Sequence, residues 1–443
     1  MRDPEGTLSF TPSTVVRHLR APLAEDAFLR SELARGWVDK GWLVPFSVDS
    51  PQVLTAQRLA WVSHPTEWCD EQLHRAGEFT LRLQQEAVAA GFDLKDASAW
   101  NILFIGTRPV LCDLLSVQPL AQRTWWAAGQ FARHFILPLL ASRQRGLHAA
   151  GTFRIWRDGM PPEVARKLFG STRWLSRYWP LMAEGRAPAL PAPADAHVSS
   201  ALGDVQSFRG GLQATLQWML SGVRPGRSRP EQGAWQSYES SRGHYGEDDL
   251  GCKRAFVARC LDQINPPWVL DLGCNTGEFS LMARTAGAQV IAVDADHDSI
   301  QRLVRSLGSC EKLYPMVVAL DDLDGGRGWM GREQPGLAQR LSKRVDLVMM
   351  LALVHHLAVA CAVPLPEVAA MAAQWTRTWL LVEWVAPSDP QMQLLCQQRQ
   401  RQAEDFSVAA QRSAFLAAGF TVSHEEVLPS GQRTLALLRL KDG

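Results

Sequence analysis

The sequence predicts an α/β fold: a mostly parallel seven-stranded sheet flanked by helices in the C-terminal half, preceded by a separate α+β domain. Three observations carry this prediction. At 443 residues the chain exceeds the roughly 250 to 300 residues at which a single core stops growing. A Pro/Ala-rich stretch at 183–196 breaks any regular pattern, as an extended linker does. After Gly233, short apolar runs alternate with helix-capable segments, the pattern of βαβ units with right-handed crossovers. The expected divisions are 1–182, an N-terminal α+β domain; 183–232, a linker with one helix around Leu212, Leu216 and Met219; and 233–443, the sheet domain.

Within the sheet domain, strands are expected at 268–272, 289–293, 317–320, 346–351, 379–384, 420–428 and 434–440, each a short apolar run bounded by turn or helix signals. Helical segments separate the first five, so these should run parallel. Pro429-Ser430-Gly431-Gln432 joins the last two into an antiparallel hairpin.

Composition narrows the functional classes. Hydrophobic residues at 46% and charged residues at 21% suit a globular protein with a packed interior. Lys and Arg number 46 against 45 Asp and Glu, so no global field draws the chain to nucleic acid or an anionic membrane. The eight cysteines are scattered singly, without zinc or disulfide spacing, which predicts a reducing, cytoplasmic setting and no metal site. Met1-Arg2-Asp3-Pro4 lacks a signal-peptide pattern. The apolar stretch 347–363 is short for a membrane span and carries His355 and His356, so a buried strand running into a helix is expected.

The strongest motif is Asp271-Leu272-Gly273-Cys274-Asn275-Thr276-Gly277-Glu278. A buried strand ends in an acid, a glycine loop follows, and a helix starts. Glycine permits tight turning and close approach of a ligand to the backbone, and the carboxyl end of a first strand is where open α/β sheets bind ligands. The spacing fits neither a dinucleotide GxGxxG nor a P-loop. Glu278 at the helix start would repel a pyrophosphate. A phosphate-free, cationic ligand such as S-adenosylmethionine (SAM) suits these carboxylates. Asp294 closes the second strand about 20 residues on, where a carboxylate can take both ribose hydroxyls.

On these residues the segment 233–443 resembles the class I SAM-dependent methyltransferases, with their Rossmann-like sheet. The resemblance implies that Asp271, Gly273, Cys274, Asn275 and Gly277 hold the methionine part of SAM and that Asp294 binds the ribose. It is closer still to a bacterial subgroup in which Trp235, Tyr238, Tyr245 and Lys253 precede Phe256-Val257 and an Ala-Leu-Val-His-His-Leu segment follows the fourth strand. Ala319-Leu320 stands where an acidic residue before a leucine would approach the adenine, which leaves Asp321 as the candidate. A lysine expected near Pro387 is missing.

Methyl transfer needs an acceptor in line with the sulfonium carbon, and a base only if the acceptor holds a proton. His355 or His356 is the candidate base, because both follow the fourth strand and histidine titrates near neutral pH; either could equally cap a helix or line the cofactor pocket. Glu383, closing the fifth strand, could orient an acceptor hydroxyl or amine, or sit as a paired carboxylate. Tyr245 could form a lid over SAM or pack on the sheet. Nothing nearby activates Cys274, so it reads as a small space-filling residue.

In the N-terminal region, Asp96, Asn101 and Asp113 flank a predicted hairpin turning at Gly106. The spacing resembles the catalytic loop and metal-binding segment of kinases. That family implies a base at Asp96 and magnesium at Asn101 and Asp113. A Gly-rich phosphate loop is missing and Leu114-Leu115 follows Asp113, so the resemblance implies a degenerate, kinase-like domain that binds substrate or stabilises the enzyme. Trp125, Trp126, Phe131, His134 and Phe135 read as the core face of an amphipathic helix. The expected function is transfer of a methyl group to O, N or C of a small-molecule acceptor; an RNA-modifying enzyme and a SAM-binding regulator without turnover are the rivals.

Overall fold

The computed structural model describes residues 5–122, 124–171, 176–183, 202–226, 246–323 and 325–441. These fall into two compact units, divided between Arg227 and Ser228.

The N-terminal unit opens with an antiparallel sheet of β1 (Gly6–Phe10), β2 (Thr14–Leu19), β3 (Phe46–Ser50) and β4 (Val53–Gln57), ordered β1-β2-β4-β3. Two small ladders follow, β5 (Phe92–Leu94) with β8 (Val117–Pro119) and β6 (Ile102–Ile105) with β7 (Arg108–Leu111). Gly106 at φ 62° makes the β6–β7 turn. The 20-residue helix Asp70–Ala89 buries Leu73, Phe79, Leu81 and Leu83 in a core shared with Trp37, Trp68, Phe104 and Phe135. Trp125, Phe131, His134 and Phe135 are buried as expected, whereas Trp126 is exposed.

The helix expected in the linker is part of this unit. Leu202–Gly222 sinks Leu216, Met219 and Leu220 into the same core. Tyr178 Oη donates to Met219 O (3.1 Å), and the buried Arg209 pairs with the buried Asp93 (2.8 Å). Its polar positions looked like a connector's because Arg209 and Gln213 satisfy buried groups rather than water: Gln213 Nε2 donates to Leu81 O at 2.8 Å.

The C-terminal unit holds β9 (Trp268–Leu272), β10 (Gln289–Asp294), β11 (Leu313–Val317), β12 (Val345–Met350), β13 (Thr376–Val385), β14 (Phe420–Val427) and β15 (Arg433–Leu440), in the order β11-β10-β9-β12-β13-β15-β14. Neighbours from β11 to β13 run parallel; β15 is antiparallel to both β13 and β14. Val269, Leu270, Val290, Ile291, Leu347 and Val348 are fully buried, which explains continuous apolar runs in strands covered on both faces. Gly431 at φ 72° sits in the β14–β15 turn.

The third strand corrects the expectation. It is Leu313–Val317 rather than 317–320, and Asp294 pairs in register with Val317. Pro315 obscured it, since proline weakens any strand reading; β11 is an edge strand, where proline is tolerated. Among the described residues no helix is long and apolar enough to cross a membrane; the stretch 347–363 begins in β12, which ends at Met350, and runs into a π-helical turn at His356–Ala360.

Candidate functional site

Strand order reverses at β9, between β10 on one side and β12 on the other. The crevice at its carboxyl end is therefore where a ligand is expected, and the Gly273–Gly277 loop lies there. Gly273 N–H and Cys274 N–H both donate to Val293 O (2.8 and 3.0 Å), which ties the loop to β10. Gly273 and Gly277 have φ of 72° and 85°. A Cβ on Gly277 would stand 2.6 Å from Leu303 Cδ1, and one on Gly273 3.2 Å from Leu353 Cδ1, so both positions demand glycine for conformation and the first also for space.

Asp294 secures the loop from the next strand. Its Oδ2 accepts Asn275 N–H (2.7 Å) and its Oδ1 accepts Asp296 N–H (2.8 Å). Burial raises its carboxyl above the ordinary range. Asp271 is buried, accepts Ser280 Oγ–H at 2.6 Å, and is pushed up to about 6, chiefly by burial and further by the Asp294 charge. Two desolvated carboxylates beside a glycine cradle fit a ligand bearing an ammonium and a sulfonium, because each cation offsets the burial that raises the acids. Cys274 is also buried and its thiol lies well above the usual range, so it is an inert filler.

The other edge of the crevice is the loop after β12. Ala352 adopts φ 54°, uncommon for a residue with a Cβ, and Leu353 packs on Gly273. His355 and His356 follow, their rings 4.2 Å apart. Both depart from the near-neutral titration expected of them: burial pushes His356 down to about 4 and His355 well below its ordinary value, helped by neighbouring positive charge.

Glu383, at the end of β13, is wholly buried and doubly paired, to Lys253 Nζ (2.6 Å) and Arg433 Nη1 (3.1 Å). Arg433 Nε reaches Asp389 Oδ2 at 2.9 Å, and Asp389 caps the helix Pro390–Arg399. Of its two sequence readings, the geometry is that of the paired carboxylate. The partners Arg433 and Asp389 were not anticipated. Lys253, quoted only in the resemblance, also lies over the Phe279 ring (5.1 Å). Asp321 is exposed, four residues beyond the true end of β11, and hydrogen-bonds with the Cys361 thiol. Glu278 pairs with Arg254. Tyr245, Trp235 and Tyr238 lie outside the described residues.

In the N-terminal unit, Asp113 Oδ1 accepts Arg17 Nη1–H (3.1 Å) and Leu115 N–H (3.2 Å), while Asp96 Oδ1 accepts Ser98 N–H (2.9 Å). The carboxylate in the metal-binding place of the kinase pattern thus carries a guanidinium.

Comparison with known proteins bears on the C-terminal unit first. Residues 245–425 match the family model described as a methyltransferase domain. The C-terminal unit carries a methyltransferase domain. The whole chain is 29% identical over 456 residues to the nodulation protein NoeA of Rhizobium meliloti (strain 1021), covering 98% of this chain and 94% of that protein. Among solved structures, magnesium protoporphyrin IX methyltransferase (ChlM) of Synechocystis PCC 6803 aligns at 17% identity over 46% of this chain and 94% of its own, with a TM-score of 0.33. The N-methyltransferase NodS of Bradyrhizobium japonicum WM9 aligns at 9% over 44% and 98%, also with 0.33. The glycine cradle and its buried acids lie within the residues that the methyltransferase model matches.

Proposed function

We propose that this enzyme methylates a small-molecule or biosynthetic-intermediate acceptor in the cytoplasm. The observation that carries this reading is the crevice itself: the Gly273–Gly277 loop with Asp294 in register on one side and the His355-His356 turn on the other. SAM supplies a methyl group activated on a sulfonium, so the protein's task is mainly to hold the acceptor in line with it. Asp294 takes the ribose hydroxyls, while Asp271, Gly273, Cys274, Asn275 and Gly277 form the bed of the methionine part. Val318, whose N–H is held by Asp294 O (2.8 Å), stands at the adenine edge in place of Asp321. The histidines border the acceptor. Glu383 acts through Lys253 and Arg433 rather than on the acceptor.

The near equality of basic and acidic residues favours a small acceptor over RNA. The likeness to NoeA along nearly the whole chain supports the N-terminal unit working with the methyltransferase domain in one protein, as scaffold or acceptor-binding module. Incubating the full chain with methyl-labelled SAM and separated small-molecule and RNA fractions of a cell extract tests this. Label should enter the small-molecule fraction. Label in RNA alone contradicts the acceptor class, and SAM binding with no transfer to either fraction identifies a regulator.

A further inference from the structure

The buried face of the helix Glu247–Ile264 changes character along its length. Phe256, Val257, Cys260 and Leu261 are apolar, but the same stripe one and two turns earlier carries Lys253 and Asp249, both buried. Stability alone does not call for a charge at 253, since well-packed apolar residues often replace a buried ion pair without loss. What the charge adds is a directed contact on two sides. Lys253 Nζ donates to Glu383 Oε2 on β13 at 2.6 Å and lies over the Phe279 ring, 5.1 Å from its centre. Phe279 is the second residue of the helix Glu278–Thr285, which starts directly after Gly277. The neighbouring Arg254 pairs with Glu278, so two consecutive side chains clasp the end of the glycine loop. Asp249 Oδ1 accepts Ser430 N–H in the β14–β15 turn at 2.9 Å, which fixes the start of the clasping helix. The loop is thus held at three points: by Val293 O at Gly273 and Cys274, by Asp294 at Asn275, and by Lys253 and Arg254 just beyond Gly277.

We infer that Lys253 is a positioning residue for the cofactor, its ammonium tying the loop that carries Gly273 and Gly277 to β13 through Phe279 and Glu383. This rests on the SAM-binding reading above and adds to it a residue that acts through the loop. An ammonium is attracted to the face of an aromatic ring, so Lys253 holds Phe279, and with it the helix start, at a fixed place beside Glu383. An apolar side chain at 253 would pack there without that direction. The charge also reaches the cofactor acids. Burial and the Asp294 charge raise Asp271, while the Ser280 hydrogen bond and the Lys253 charge lower it, so Lys253 keeps more of this acid ionised for a cationic ligand. His355 is the other titratable group beside Lys253 in the crevice wall, and burial together with neighbouring positive charge keeps it neutral.

The test compares two full-length variants by calorimetric titration with SAM from pH 5 to 8. Lys253→Met with Glu383→Leu removes one buried charge of each sign and breaks the clasp. Arg433→Met with Asp389→Asn removes one of each sign from the other half of the same network and leaves Lys253 on Glu383. The first variant should bind SAM about tenfold more weakly at pH 8 and begin to lose affinity about one pH unit higher than the wild type, because the ring contact and the cation acting on Asp271 are both gone. The second should keep the wild-type affinity and pH profile. Equal losses in the two variants, the mark of a merely structural pair, overturn the inference, as does a wild-type affinity or pH profile in the first. Failure of the wild-type chain to bind SAM would instead overturn the reading on which it rests. If Lys253→Met with Glu383→Leu does not fold, hydrogen exchange of the wild-type chain decides, because coupling between ligand and clasp is reciprocal. S-adenosylhomocysteine should slow exchange at residues 250–257 as well as in the helix Glu278–Thr285, and slowing confined to the latter overturns the inference.

Discussion

Replacing Glu383 with glutamine should destabilise the methyltransferase domain severely, because it unbalances four buried charges. Lys253 and Arg433 contribute two positive charges, Glu383 and Asp389 two negative ones, and all four side chains are nearly inaccessible to water. Glu383→Gln leaves a net positive charge where burial is already costly. Breaking such a pair costs about 3–5 kcal/mol, a large part of the about 5–15 kcal/mol that holds a typical domain together. With a urea dependence of about 2 kcal/mol per molar, the unfolding midpoint should fall by about 2 M. Hydrogen exchange resolved to peptides of β13 and β15 locates the loss, since Glu383 lies two residues before the end of one strand and Arg433 opens the other. The pair Lys253→Met with Glu383→Leu removes one charge of each sign and leaves Arg433 with Asp389, so it should recover most of the stability. A Glu383→Gln chain with an unshifted midpoint and native exchange would refute the reasoning.

Other outcomes follow from the same geometry. SAM affinity should fall by up to tenfold per pH unit as pH drops below about 6, because Asp271 titrates there in the free protein and a cationic ligand prefers the carboxylate; calorimetry across pH 5 to 8 checks this, and a flat profile excludes Asp271 as a determinant. His356 contributes to stability in the opposite sense to Asp271. Its value is lowered to about 4, so that stability is present above the ordinary value of 6.5 and is lost as pH falls toward 4, whereas the raised Asp271 loses stability as pH rises from 3.8 through about 6. Chemical denaturation at several pH values separates the two. Gly277→Ala should cost about 2–4 kcal/mol, from left-handed strain of about 1–2 kcal/mol and the contact with Leu303, with weaker SAM binding as the loop moves; equal stability and affinity would show that Leu303 gives way. Gly273→Arg should abolish SAM binding while hydrogen exchange in the N-terminal unit stays native.

Much of the fold was legible because the sheet announces itself locally. Strands β9, β10 and β12 are apolar runs buried on both faces, and the hairpin carries its own turn residues at Ser430-Gly431. The cofactor loop was legible for a related reason: its glycines, Asp271 and Asp294 sit at fixed offsets within about two dozen residues. What escaped depends on distance along the chain. Lys253 and Glu383 are 130 residues apart, and Arg433 lies 50 from Glu383, so nothing in the local pattern distinguishes these charges from surface ones. An arginine opening a strand whose centre, Leu435-Ala436-Leu437-Leu438, is apolar was the available signal. The lowered titration of the histidines also needed three-dimensional information, since burial and Arg433 cause it. The third strand was misplaced because Pro315 masked an edge strand, and with it Asp321 was assigned to an end of β11 that lies elsewhere.

The most direct test of the account is calorimetric titration of the full chain and of Asp294→Ala with SAM and S-adenosylhomocysteine, with Mg-ATP in a parallel cell. The wild-type chain should bind both SAM-type ligands at one site, and Asp294→Ala should lose nearly all of that affinity, because the carboxylate that fixes Asn275, and that we propose takes the ribose hydroxyls, is gone. Equal affinity in both proteins, or binding of Mg-ATP alone, would contradict it.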